Sequence, residues 1–308
     1  MSAAAILHLL IAFALAPLMT GVANRVKAGF AGRTGAPVLQ PYYDLARLLR
    51  KGAVYSTTTT WVFRLGPCLG VAGAAAALVV APWGGGRATL AFDGDLLFFA
   101  AALALARFGT ILAALDTGSA FEGMGASREA TFAALAEPSL LVGLLALARA
   151  SGELSLSGIY HALTPGHLAA PGGVAVLLVA AAFGIVFLAE NARLPVDDPN
   201  THLELTMIHE AMALDHGGPD LALIHYGAAL KFWALGTLVA GFVAPVHDGA
   251  WTALAAILGG MFLLSVAVGV AESVMARLRL AKVPNFLAAA FALSVLALLL
   301  SAHAKGGS

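Results

Sequence analysis

The chain has 308 residues, 60% hydrophobic and 11% charged, with 17 basic side chains balancing 17 acidic ones. A mean hydropathy of +0.88 is too apolar for a water-soluble globular protein, and zero net charge leaves no electrostatic footprint for nucleic acid or an acidic substrate. The single cysteine, Cys68, excludes a disulfide framework and an iron–sulfur cluster held by this chain alone, so any redox centre is expected in another subunit.

Apolar runs of about 20 residues read as transmembrane helices. Eight are expected, at 3–22, 65–83, 95–115, 131–150, 174–192, 221–244, 251–272 and 284–302. The first reads as a span and not as a leader, because Met1–Leu7 carries no basic residue and the Ala14-Leu-Ala16 triplet runs into Pro17. Arg25, Lys27, Arg33, Arg47, Arg50, Lys51 and Arg64 follow it, which makes that loop cytoplasmic. Alternation through eight spans also places Arg128, Arg193, Arg277, Arg279 and Lys282 inside, against Arg87, Arg149 and Lys305 outside. The expected fold is therefore one all-α polytopic membrane domain over 1–308, both termini outside. No internal repeat supports the inverted-repeat architecture of secondary transporters.

The first inner loop, 24–64, is basic and Gly/Pro-rich, and 42–51 is amphipathic. Tyr43, Leu45, Leu48 and Leu49 oppose Asp44, Arg47, Arg50 and Lys51. Such a segment lies on the lipid surface or walls a docked partner. The other inner loops, 116–130, 193–220 and 273–283, are also longer and more charged than the outer ones, which points to docking on the cytoplasmic face.

Charges inside the spans are the next signal. Arg107 falls near the centre of the third span, Lys231 well within the sixth, and Glu137 about two turns into the fourth, before a kink expected at Pro138. Glu190 and Glu272 mark the cytoplasmic ends of the fifth and seventh spans, shallow enough to snorkel. A charge at the bilayer centre costs about 2.5–3.5 kcal/mol even on lenient scales, so these residues suggest a proton path or a coupling element.

After the fifth span, Pro195 and Pro199 stop the helix, and Thr201-His-Leu-Glu204 fits a capping box that starts another. Arg193 can pair with Glu190 or Asp197, while Glu204, Glu210 and Asp215 complete a carboxylate-rich corner. His202, His209 and His216 recur every seven residues, about 10 Å apart per step on a helix, too far to share one ion. The HExxH-like string beginning at His209 fails at Ala213, so no metal site is expected.

Together these residues resemble the membrane subunit of respiratory complex I that houses the quinone-entry chamber, along almost the full chain. The resemblance rests on the Arg/Gly/Pro-rich turn and Gln40-Pro helix of 25–51, on Glu137, on the Glu190-x-x-Arg193-x-Pro195-x-Asp197 end of the fifth span, and on Asp215-His-Gly-Gly218. Two positions that are usually acidic in the quinone-reducing branch are Asn200 and His202 here. The strings Asp116–Glu129, Asn200–Met212 and Glu272–Arg279, with Pro284, instead resemble the related subunit of membrane-bound [NiFe] hydrogenases, including formate hydrogenlyase and hydrogenase-4 types.

That resemblance implies a non-catalytic anchor and coupling subunit in the inner membrane of a prokaryote. Hydrogenase large and small subunits and iron–sulfur subunits would carry the nickel–iron centre and clusters, this chain binding none. They would dock on loops 24–64, 116–130 and 193–220, where Arg25, Arg33, Asp44, Arg47, Asp116, Arg128 and Glu129 are the candidate contacts. Glu137, Glu190, Arg193, Asp197, Glu204, Glu210, Asp215 and Arg107 would pass the redox event to proton or sodium movement through antiporter-like subunits. Glu272 and Lys231 join this set, Lys231 from its intramembrane placement alone. The alternatives are a quinone-binding complex I subunit and a stand-alone ion or solute carrier.

Overall fold

The computed structural model describes residues 3–83, 87–163, 173–197, 207–243 and 249–306. Eight helices among the described residues are long and apolar enough to cross a membrane. In chain order these are α1 (Ala3–Phe30), α3 (Trp61–Val80), α4 (Asp95–Asp116), α5 (Ala120–Ser151), α7 (Gly173–Glu190), α9 (Gly218–Gly241), α10 (Ala250–Val274) and α11 (Val283–Gly306). Three shorter helices join them: α2 (Gln40–Leu49), α6 (Leu156–Ala162) and α8 (His209–Met212). We call the face bearing α2, α8 and the ends of α4 and α7 the inner face.

All eight expected spans are present, with two boundaries shifted far: α1 continues to Phe30, past the end expected at 22, so Arg25 and Lys27 lie on the helix and not in the loop. The stretch 116–130 is not a loop: α4 ends at Asp116 and α5 begins at Ala120. Its glycines argue against helix in the sequence, but Gly125 is there for contact. A Cβ on it would stand 2.9 Å from both the Ala211 methyl and the Ile208 carbonyl, so only glycine lets α5 approach α8 this closely. Helix α5 is thus 32 residues long and carries Arg128 and Glu129 in its first turns.

Bundle packing relies on small residues, as expected where lipid supplies no hydrophobic drive between helices. Against α4, a Cβ on Gly73 would meet the Ala102 carbonyl at 2.5 Å, and one on Gly66 the Ala113 methyl at the same distance. Helix α9 is the hub: 67% of its apolar window is buried, against 28–50% for the other spans. It touches α1, α2, α3, α7 and α10.

Polar groups fix the joints. The Asp116 carboxylate accepts from Thr60 N–H (2.6 Å), the Thr60 hydroxyl (2.8 Å) and Phe63 N–H (3.3 Å). An anion thereby satisfies the N-terminus of α3. Pro17 leaves the Phe13 carbonyl of α1 without its helical donor. The Tyr226 hydroxyl of α9 donates to it at 2.9 Å, and the Tyr42 hydroxyl of α2 donates to the next carbonyl, Ala14, at 2.5 Å. Helix α2 is thereby clasped between α1 and α9, with Tyr43, Leu49, Arg47 and Arg50 left exposed. The corner 198–206, with Pro199, Asn200, His202, Glu204 and the helix start expected at Thr201, lies outside the described residues.

Candidate functional site

One buried arginine organises the site. Arg107 sits nine residues before the inner end of α4, about 14 Å of helical rise. A lone guanidinium at that depth is unfavourable, and two neighbouring helices supply three carboxylates to it. Nη2 donates to both oxygens of Glu190 on α7 at 2.5 Å, and Nη1 binds Glu137 on α5. Nε lies 3.3 Å from Oε1 of Glu129, which precedes Glu137 by about two turns of α5, as an ion pair without hydrogen-bond alignment. The Arg107 side chain is only 8% exposed.

The network continues from each carboxylate. Glu190 Oε2 is 3.7 Å from Lys231 Nζ, bringing in the hub helix α9. Glu129 Oε2 is 3.6 Å from His209 Nδ1 on α8. The backbone N–H groups of His209 and Ile208 donate to Asp197 Oδ2 at 3.3 Å, and Arg277 Nη2 donates to Asp197 Oδ1 at 2.8 Å. A chain of ionisable groups therefore runs from Lys231 through Glu190, Arg107, Glu129 and His209 to Asp197 and Arg277, linking segments far apart in the sequence.

A second buried centre stands beside it. Glu272 on α10, fully buried, faces Arg193 Nη1 at 3.2 Å and Lys27 Nζ at 3.7 Å. This corrects the pairing expected for Arg193: among the described residues its ion pair is with Glu272, while Glu190 and Asp197 take other cations. The reason is reach across the bundle. The Arg193 guanidinium also lies 5.6 Å from the Phe232 ring centre, drawn under α9 and away from its sequence neighbours.

Glu137 needs the opposite comment. Its side chain is 42% exposed although it lies about 21 Å of helix from the outer end of α5, inside a core about 30 Å thick. One oxygen serves Arg107 and the rest of the carboxylate faces out of the chain.

The candidate docking residues divide. Arg33 and Arg47 are exposed and Asp44 is half-buried, pairing with Arg47 at 3.9 Å. Arg25 is also exposed but its guanidinium is spent on the Thr34 and Gly35 carbonyls of its own loop. Arg128 donates to the Met207 carbonyl at 2.9 Å, fastening α8 to α5. Asp116 is the cap of α3. Glu129, expected on a docking surface, is instead 12% exposed within the Arg107 network, because α5 starts about three turns before its apolar run does.

In the carboxylate corner, Asp215 is exposed and Glu210 half-buried. The Asp215 N–H donates to Oε1 of fully buried Glu122 at 3.0 Å. His216 stacks on Phe63 with ring centres 3.9 Å apart, and burial, only partly opposed by Asp220 and Asp215, pushes its pKa down. Sequence alone gives Glu122, Lys27, Arg277 and His209 no place in the charge network. Glu122 and His209 stand out only as polar breaks in apolar surroundings, and the one motif that His209 begins is a broken metal motif.

Two water-sized cavities flank the network. One, about 20 Å³, is bounded by Glu190, Asp197, Phe132 and Val196. The other, about 40 Å³, is bounded by Arg107, Lys231, Thr110 and Gly227. Glu129 and His209 line both.

Comparison with known proteins fits this geometry. Formate hydrogenlyase subunit 4 of Escherichia coli is 31% identical over 95% of this chain and 96% of its own length. Hydrogenase-4 component C of the same organism is 30% identical over 92% and 90%. A subunit of the NADH-quinone oxidoreductase of Paraburkholderia xenovorans is 26% identical over 71% of this chain and 62% of that protein. A chain of the membrane-bound sulfane sulfur reductase, an archaeal respiratory membrane complex, superposes with a TM-score of 0.79 over 97% of this chain and 98% of its own, at 18% identity, which speaks to fold alone. The NADH dehydrogenase family model matches residues 2–302. With eight membrane-spanning helices, an intramembrane charge network and full-length relatives among hydrogenase membrane subunits, the chain belongs to the NADH dehydrogenase family.

Proposed function

We propose that this chain is the membrane anchor and coupling subunit of a multisubunit membrane-bound [NiFe] hydrogenase of the formate hydrogenlyase type, in the inner membrane of a prokaryote. The observation that carries the reading is Arg107 held by Glu129, Glu137 and Glu190 within the bundle, one end of the network reaching the inner-face corner and the other the half-exposed Glu137. Electron transfer in a docked redox module changes the charge at the corner. The network transmits that change as shifted protonation, and Glu137 presents it to a neighbouring membrane subunit of antiporter type.

In this reading the nickel–iron centre and the iron–sulfur clusters sit in hydrogenase large and small subunits and iron–sulfur subunits on the inner face. Four thiolates hold such a cluster, and this chain's one thiol, Cys68, is exposed on α3. Exposed Arg33 and Arg47 and half-buried Asp44 remain docking candidates, and an outer location of both chain termini belongs to the same reading. A quinone-binding role is the second reading. Against it stand Asn200 and His202, at two positions that are usually acidic in the quinone-reducing branch.

The test is purification of the tagged chain from its own membranes in mild detergent. We expect nickel and iron–sulfur proteins to travel with it, and H₂ turnover insensitive to quinone-site inhibitors. A chain that purifies alone and transports a solute, or a complex that reduces quinone without nickel, would overturn the reading.

A further inference from the structure

We infer that His209 is the proton-passing residue between the two water-sized cavities of the charge network, a role that rests on the coupling function proposed above. A water needs about 10–15 Å³ of such volume, so cavities of about 20 and 40 Å³ have room for one water and for two or three. The smaller reaches Glu190 and Asp197, the larger Arg107 and Lys231, and Glu129 and His209 border both.

Of these two shared side chains, only the imidazole ordinarily changes charge near neutral pH, and its two nitrogens let it receive a proton at one and release it from the other. The step balances simply. An excess proton arriving as hydronium in one cavity makes His209 a cation paired with Glu129 Oε2 through Nδ1, 3.6 Å away, and leaves neutral water behind. Its release to water in the other cavity restores the neutral ring.

The surroundings hold the ring at the partition. From α5 come Glu129 and, on the adjoining Met207 carbonyl, Arg128; from α4 comes Arg107; from the segment after α7 comes Asp197; from α9 come Lys231 and His225. The backbone of α8 is pinned by Asp197 to Ile208 and His209 and by Arg128 to Met207, while the imidazole remains 26% exposed. Because Glu129 also pairs with Arg107, a change of protonation at Glu190 or Glu137, the other carboxylates on that guanidinium, reaches His209 through Glu129.

The experiment uses the whole complex in proteoliposomes and reads ions moved per H₂ between about pH 5.5 and 8.5, a window spanning the imidazole range. The wild type is expected to show an inflection in that window. His209→Gln should abolish the inflection and lower the ratio at least about tenfold, a modest share of what a positioned proton carrier contributes. Glu129→Gln, which removes the anion favouring the imidazolium, should move the inflection to lower pH, a change that a merely structural histidine would not produce. Glu137→Gln serves as the control for the underlying reading. If Glu137→Gln uncouples but His209→Gln keeps both ratio and inflection, the inference falls and the function stands. If neither variant alters the ratio, or the wild type moves no ions, both fall. Should His209→Gln fail to assemble, an inflection unmoved in Glu129→Gln overturns the inference.

Discussion

The same two groups, an arginine and a carboxylate, meet twice in this protein with different consequences. On α2, Arg47 and Asp44 are 67% and 48% exposed and lie 3.9 Å apart on one turn of helix. Water solvates both, and such a pair contributes little to stability. Inside the bundle, Arg107 at 8% exposure is surrounded by three carboxylates from α5 and α7. There the cost of removing charge from water is large, and only mutual pairing offsets it. The informative charges are thus those whose removal strands others.

The sharpest way to break the comparison is Arg107→Met. It leaves Glu129, Glu137 and Glu190 without their shared cation, and breaking a buried ionic centre costs about 3–5 kcal/mol. Thermal unfolding of the complex in nanodiscs should show it, and a loss no larger than that of an exposed pair, about 1 kcal/mol, would mean that water already screens the site. Gly73→Val tests the scaffold that brings α4 into place. A side chain 2.5 Å from the Ala102 carbonyl must push the helices apart, at about 1–3 kcal/mol, with Arg107 moved away from α7. An unchanged stability would contradict the close α3–α4 contact.

Smaller effects bracket these. Tyr226→Phe should cost about 1 kcal/mol, because the Phe13 carbonyl freed by Pro17 loses its donor. Amide exchange along α1 would register the same loss locally. Asp44→Asn should stay within about 0.5 kcal/mol of wild type. A larger change there would show that α2 is packed against something beyond α1 and α9.

Much of the architecture is legible from apolar runs alone, since a span must be long and uninterrupted. The early start of α5 is not, because Gly118, Gly123 and Gly125 are poor helix formers in isolation, and the α8 contact that justifies Gly125 is a tertiary fact. Arg107, Glu137, Glu190, Lys231 and Glu272 are visible in the sequence as charges in the wrong solvent. Their pairings are not: Arg107 and Glu190 are 83 positions apart, and Arg193 and Glu272 are 79. Spacing rules reach neighbours one turn away, which is why they match Arg193 with Glu190 or Asp197. Glu129 and His209 escape as partners for the same reason, one looking like a loop surface and the other like a failed metal ligand.

Ion movement per H₂ in proteoliposomes, compared between the wild-type complex and Glu137→Gln, tests most directly whether this charge network couples redox chemistry to the membrane. The variant is expected to move far fewer ions per H₂, with turnover by artificial electron carriers lowered less. Equal loss of ion movement and dye-linked turnover, at an unchanged ratio, would contradict it and leave Glu137 a structural residue.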